Sequence, residues 1–321
     1  MRYLDSAPGD RRRSPPPPAR RRRETIPVTV CIAAICAKKR MIVGASDRML
    51  TAGDIQFEQP LTKQWLLNLS TLCLISGDMT IQDEILTQVE QDPENLALPV
   101  KMLAEKYQAA YLAVFRKRIE TTILARFNLT YESFLHQKEE KLPSNLVDFV
   151  DLEIKAFNPP ALQGIEAIIT GIDADGPHIY VFRHSDLMLC NTIGFAAIGI
   201  GAWHAESQFM FEGHSYNAPV DETMLLTYSA KKRAEVAPGV GKHTDLFTIF
   251  PDRGPAHGCF LDTPDFICKE LEIAYRATLK RDQRARTAAK RRYSQAIQGM
   301  IDRASEGLSE EEMEAIRRGE K

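Results

Sequence analysis

Asp47, Lys63 and Gly77 stand sixteen and then fourteen residues apart in the front third of the chain, in the contexts GASDRMLTAG, LTKQWLLNL and LISGD. A lysine on an apolar strand beside a carboxylate can form a partly buried ion pair. A glycine where a strand turns into a helix offers a backbone N–H to an anion or a developing oxyanion. Each residue also has a plain reading, as a strand-end acid, a surface lysine and a turn glycine. Their chemistry therefore depends on the elements that bring them together.

Those elements begin abruptly at Val28. VTVCIAAIC, the polar break AKKR and MIVGASDR predict two strands joined by a hairpin, and LTKQWLLNL with STLCLISG predicts two more. A helix opens at SGDMTIQDEIL with Ile81, Ile85, Leu86 and Val89 at helical spacing. Leu98–Phe127 predicts a long helix with Leu103, Tyr107, Ala110, Leu112, Phe115 and Ile119 facing the core. Residues 129–162 are polar, carry Glu, Lys and Pro clusters, and are expected to be an irregular insertion. Strands return in GIEAIITGID, HIYVFRH, LMLCNTI and FAAIGIG. Helices follow over Ala202–Phe211 and Asp221–Ala234, the second ending in Lys231, Lys232 and Arg233 as the helix dipole prefers. HTDLFTIF is the last expected strand, Asp265–Ala304 one long charged helix, and SEEEMEAIRR a short one. Runs of strands followed by runs of helices point to α+β layers.

Composition narrows the function. The 321 residues carry 41 Lys+Arg against 43 Asp+Glu and are 44% apolar, ordinary for a folded soluble protein. No apolar run approaches the roughly 18 residues of a membrane span. The near-zero net charge argues against a dedicated nucleic-acid binder. Residues 1–27 hold eight Arg and little apolar surface, and are expected to be a disordered Arg/Pro-rich extension. The six cysteines form no CxxC pair and have no histidine at zinc spacing, so they read as reduced thiols of a cytoplasmic protein, with no metal expected. His204, His214, His243 and His257 accompany no G-x-S-x-G elbow and read as structural. The domains expected are 1–27, then 28–263 with the insertion, then a helical C-terminal extension over 264–321.

The string TVCIAAIC…IVGASDRMLTAG…K…LISGD resembles the proteasome β-type subunits and their bacterial relatives among the N-terminal nucleophile hydrolases. TGIDADGPHIYVF resembles a strand pair of that family, FAAIGIGAWHAE its G-x-G strand-to-helix turn, and AKKRAEVAPGVGKHTDLFTI its helix, Gly-rich turn and final strand. The resemblance spans about Thr29–Phe250. It implies an α+β fold, a four-layer αββα sandwich, here followed by a long C-terminal helix. It also implies a threonine-type endopeptidase working in a self-assembled ring on peptides or unfolded proteins, without cofactor, with an ATP-dependent unfoldase as a further partner. Residue by residue, it makes Thr29 the nucleophile and its own α-amine the general base. Lys63 then holds a positive charge beside them, Asp47 orients Lys63, the Gly77 N–H binds the oxyanion, and Glu235 is the acidic helper. Two alternatives share the fold: a catalytically inactive scaffold or ring subunit, and a small-amide amidohydrolase.

Three features depart from the family pattern. The interval from Thr29 to Asp47 is two residues longer, which a longer AKKR turn absorbs while keeping every side chain on its face. Without that insertion Cys31 takes the nucleophile position. Ile200 stands where the family has a serine. Thr29 is internal, so its free amine requires either autolytic removal of residues 1–28 or translation starting at Val28 with loss of the initiator methionine.

Overall fold

The computed structural model describes residues 29–304 apart from 53–54, 61, 91–92, 137–141, 158–161, 163 and 252–257, and beyond them 311, 314–315 and 318–319. The Arg/Pro-rich segment and most of the expected short terminal helix lie outside the described residues. The first hairpin joins β1 (Cys31–Cys36) to β2 (Met41–Ser46), and β3 (Met49–Ala52) pairs with β4 (Ile55–Glu58). β5 (Gln64–Asn68) and β6 (Thr71–Ser76) follow, then helices α1 (Met79–Glu90), α2 (Val100–Thr122), α3 (Tyr131–Leu135) and α4 (Ser144–Ala156). The chain returns through β7 (Glu166–Asp173), β8 (Gly176–Arg183), β9 (Asp186–Leu189) and β10 (Phe195–Ile198). Helices α5 (Ala202–Phe211) and α6 (Val220–Ala234), strands β11 (Asp245–Pro251) and β12 (Gly258–Asp262), and helix α7 (Asp265–Ala304) complete it.

The strands form two five-stranded sheets, β10-β1-β2-β11-β12 and β5-β6-β7-β8-β9, with every pairing among the described residues antiparallel. CIAAIC is buried at every residue, as an inner strand covered on both faces requires. Three clusters explain the stacking. Cys31, Ala33, Ile35, Leu72, Leu74 and Ile168 join the two sheets face to face. On the outer face of the second sheet Cys73, Ile75 and Ile169 meet α1 and α2, including all four positions expected on α1. On the outer face of the first sheet Val30, Ile32 and Ala34 meet α5 and α6. The fold is thus mixed α and β, with antiparallel sheets and a long C-terminal helix.

A buried polar network ties the helices to the strand ends. Gln82 is fully buried; its amide nitrogen donates to the Ser76 carbonyl at 2.8 Å and the Glu166 carbonyl at 3.1 Å, while its oxygen accepts from Tyr107 Oη at 2.6 Å. Every polar atom of the group is used, which makes it a specific lock instead of a burial penalty. It fixes where β6 ends and β7 begins.

Several elements depart from expectation. Helix α2 stops at Thr122, and Leu124–Phe127 is a 3-10 turn closed by left-handed Asn128 (φ 55°). Leu112 and Phe115 are only partly buried; Ala104, Tyr111 and Val114 occupy the buried stripe in their place. The insertion is helical: Leu146, Val147, Val150 and Ile154 recur at helical spacing on α4 and pack with Phe134, Ile119 and Leu124 in a cluster of their own. Its high polarity masked that stripe. Strand β12 extends the sheet beyond β11, and the β3-β4 pair follows β2; both are too short and too mixed in character to show a period. The AKKR turn holds Ala37, Lys38 and Lys39 at positive φ. Hydrogen bonds from Ala37 N to Ala218 O (2.8 Å) and Lys39 N to Tyr216 O (3.1 Å) hold that conformation, which L-residues otherwise avoid.

Candidate active site

Thr29 and Val30 lead into β1, and the antiparallel register that sets Cys31 opposite Ser46 carries Asp47 alongside them. The Asp47 amide closes the pairing by donating to the Val30 carbonyl at 3.2 Å. Lys63 immediately precedes β5 at the edge of the other sheet, its carbonyl accepting from Ile75 N at 3.2 Å. The three side chains converge at the seam between the sheets. Lys63 Nζ donates to Asp47 Oδ1 at 2.8 Å and also to Thr29 Oγ1, and the Thr29 hydroxyl in turn donates to Asp47 Oδ1. All three are shut from solvent, with exposures of 1% for Thr29, 0% for Asp47 and 3% for Lys63.

Burying an ion pair costs several kcal/mol per charge in desolvation, and only excellent geometry offsets it. Asp47 has that geometry. Besides Lys63 and Thr29 it accepts from the amides of Val30 (3.2 Å), Met49 (3.3 Å) and Gly241 (2.7 Å), which occupies both oxygens. The arrangement sets an ammonium group against a hydroxyl oxygen whose proton already points at a carboxylate. Such a hydroxyl is polarised and fixed in orientation, as a nucleophile needs.

Two glycines hold the backbone of Thr29. The Gly201 amide donates to its carbonyl at 3.1 Å. Gly199 lies so close that a Cβ there would sit 2.4 Å from the same carbonyl oxygen, and its φ of +84° disfavours any L side chain. This gives the GIG segment of the expected strand-to-helix turn a physical reason. Ile200 between them packs its side chain on the α5–α6 cluster.

The other expected residues lie further out. Glu235 caps α6 and pairs with Lys231 at 2.7 Å and Lys232 at 3.0 Å. Lys231 also donates to the Gly241 carbonyl at 2.7 Å, and the Gly241 amide binds Asp47, so Glu235 reaches the group only through Lys231 and one peptide. Lys231 is fully buried, and desolvation lowers its pKa against the opposing pull of Glu235. In the sequence it reads only as part of a basic helix end suited to the dipole; its i,i+4 spacing to Glu235 is the one signal of the pairing. Gly77 follows β6 with φ +107°, and a Cβ there would meet the Gly164 carbonyl at 2.3 Å. It lies two residues beyond Ile75, whose amide binds Lys63; among the described residues no hydrogen bond joins it to Thr29. Cys31 turns into the core between the sheets and donates its thiol to Ile75 O at 3.5 Å. Burial pushes its pKa up to about 12 despite the nearby Lys63 charge, so the thiol stays protonated at neutral pH.

Glu166, Arg183 and Glu206 escaped the sequence reading because they lie on three separate elements. Glu166 Oε2 accepts from Gly199 N at 2.7 Å and Oε1 from Arg183 Nε at 2.6 Å, while Arg183 Nη2 donates to Ala197 O at 3.1 Å. Glu206 accepts from Ala197 N at 3.2 Å, and burial raises its pKa. The trio braces the segment that holds Thr29. A raised carboxylate pKa means the native state resists the charge, a cost fully present above the native pKa and absent below the unfolded value of about 4.3. Glu206→Gln keeps the acceptor and is expected to raise Tm at neutral pH, with the gain vanishing as pH falls through the carboxylate range. A Tm series of both proteins across pH checks this, and an equal gain at every pH would contradict it.

A cleft of about 1110 Å3 lies against the other flank of the group. Arg48 and Thr62, the chain neighbours of Asp47 and Lys63, line it with Asp245 and the first turns of α7, and Thr29 is not among its walls. Arg48 itself is engaged by Asp245 at 2.5 Å. Among the described residues no set of three or more His, Cys, Asp or Glu could hold a metal ion, and no helix is long and apolar enough to cross a membrane. Neither a protein-family model nor a curated protein matches the chain in sequence, so the functional reading rests on the group around Thr29.

Proposed function

We propose that the chain is a threonine-type peptidase of the N-terminal nucleophile class, with Thr29 as nucleophile. One observation carries this reading: the Thr29 hydroxyl is bonded by both members of the buried Lys63–Asp47 pair. Two antiparallel sheets stacked between α1–α2 and α5–α6 support the matching fold, the four-layer αββα sandwich. In a chain that starts at Thr29, the α-amine takes the hydroxyl proton as Oγ1 attacks the scissile carbonyl. The Lys63 charge favours the unprotonated amine and stabilises the developing alkoxide. The tetrahedral oxyanion is received by the Gly77 N–H at the strand-to-helix turn. Collapse expels the amine half of the substrate, which leaves with the proton, and water then hydrolyses the Thr29 ester. Asp47 and, through Lys231, Glu235 are positioning residues.

Peptides or unfolded proteins are the substrates of this reading, in the cytoplasm, with a homo-oligomeric ring as the working form and an ATP-dependent unfoldase as a further partner. Self-association is supported by α5, which exposes Trp203 (80%), Met210 and Phe211 (79%), three large apolar side chains on one helix. The inactive-scaffold reading has its own support: Thr29 carries a peptide bond on its nitrogen in this sequence and is almost wholly buried. Intact mass and N-terminal sequencing of protein made from its native gene, followed by hydrolysis of peptide amides, separates the two. A chain starting at Thr29 that cleaves peptides is the expected result. A chain that keeps its upstream residues, or an exposed Thr29 that cleaves nothing, would favour the scaffold.

A further inference from the structure

The α3–α4 insertion and the outer part of α7 stand outside the three stacked clusters. Helix α7 joins the body through Cys268, Leu271 and Tyr275, which pack beside Tyr228 and Leu246. Beyond them every residue from 277 to 296 is exposed, a projection of about 30 Å at 1.5 Å per residue. Residues 277–304 hold eight basic against two acidic side chains. At 100° per residue Lys280, Arg281, Arg284, Arg291 and Arg292 fall on one side, while Leu279, Tyr293 and Met300 share the other with Arg286 and Lys290. Like charges at i,i+4, as in Lys280–Arg284 and Arg286–Lys290, weaken an isolated helix. This stretch has no apolar support of its own and gains stability from an acidic surface with an apolar strip.

The insertion offers one. Residues 129–162 hold six acidic against three basic side chains. Phe149 and Leu152 are exposed on α4, flanked by Asp148 and Glu153, and Leu135 of α3 is exposed as well. The surface extends a wider bias, since residues 28–276 sum to −10.

We propose that the basic outer part of α7 docks on the acidic face of the α3–α4 insertion, with its exposed apolar residues, in a second copy of this chain. The contact lies between copies because, within one copy, α7 is seated on α6 and the insertion on the end of α2. Two different surfaces meet, so the contact either closes a dimer by reciprocal exchange of arms or propagates head-to-tail into a ring or a filament. The inference rests on the self-association part of the proposed function and not on the chemistry of Thr29.

Sedimentation of the full chain at about 0.1 M and about 1 M salt, between which the Debye length falls from about 10 to about 3 Å, is the first measurement. The variants are Arg284→Glu/Arg291→Glu on the arm, Asp148→Lys/Glu153→Lys on the insertion, and the two pairs combined. All four substituted positions belong to the arm and the insertion, none to the group around Thr29, and circular dichroism reports whether each variant folds. Each pair alone is expected to weaken association about tenfold or more at low salt, with little effect at high salt, and the combination is expected to restore it. Restoration is the decisive result, because a folding defect or a different partner would not be repaired by the second pair. Association that ignores the arm charges overturns this inference and leaves self-association standing. Wild-type protein that is monomeric at both salts removes both. Arm-dependent co-purification of nucleic acid, with assembly unchanged by the substitutions, would reassign the arm to a polynucleotide and overturn it too.

Discussion

Asp47→Ala is expected to destabilise the protein by about 3–5 kcal/mol, among the largest costs of any single substitution in the chain. The carboxylate has no solvent exposure, and its removal strands the Lys63 ammonium, which is itself nearly buried. It also leaves the amides of Val30, Met49 and Gly241 without their acceptor. Asp47→Asn keeps the volume but turns two donor hydrogens toward either the ammonium or the Gly241 amide, so most of the loss remains. Lys63→Met removes the other charge and is expected to cost less, about 2 kcal/mol, because the amides and the Thr29 hydroxyl still satisfy Asp47. The double variant Asp47→Ala/Lys63→Met should then be more stable than the sum of the two losses by more than about 1 kcal/mol, since no buried charge is left alone. Urea unfolding with unchanged m-values measures all four variants. Additive losses, or a cost for Asp47→Ala below about 1 kcal/mol, would mean that water reaches the pair and that the site is not the closed one described above.

Where a property is local in the chain, the sequence was enough to see it. CIAAIC and TLCLIS are short apolar runs, α1 and α5 have clear boundaries, and the intervals among Thr29, Asp47 and Lys63 survive because strand register turns sequence distance into spatial contact. Properties made by packing were not visible. Lys231 sits at a helix end where a solvated base is the ordinary case, and only the fold buries it beside Glu235 and Gly241. Glu166, Arg183 and Glu206 belong to three elements separated by up to forty residues, and nothing in their spacing joins them to Gly199. The insertion was misread because the average of its many charged residues outweighed four apolar positions on α4. Cys31 was left open as a nucleophile on spacing alone. Its side chain faces the interior between the sheets, a distinction that a one-residue change of register would reverse.

That distinction leads to the largest expected kinetic effect. In a chain that starts at position 29, Thr29→Ala is expected to lower peptide hydrolysis roughly 10⁴–10⁶-fold, as loss of a nucleophile does in other hydrolases. Cys31→Ala should leave kcat/KM within about threefold while costing about 1 kcal/mol of stability for the small cavity it creates. A thiol with a pKa of about 12 is ionised in roughly one molecule in 10⁵ at pH 7, so it contributes nothing measurable as a nucleophile. Thr29→Ser keeps the hydroxyl and the amine and should retain a substantial part of the rate. The pH profile adds a test that a purely structural threonine would fail. An α-amine ordinarily titrates near 7.7–8.0, and the Lys63 ammonium beside it disfavours a second positive charge, which lowers that value. The kcat/KM of the Thr29 form should therefore rise through an apparent pKa below about 8 and level off, and the same limb should persist in Thr29→Ser. Acetylation of the Thr29 amine should abolish the rate without disturbing the fold. Activity that survives Thr29→Ala but is lost with Cys31→Ala would move the nucleophile two residues along the strand. It would also require the thiol to escape the core in which it is buried.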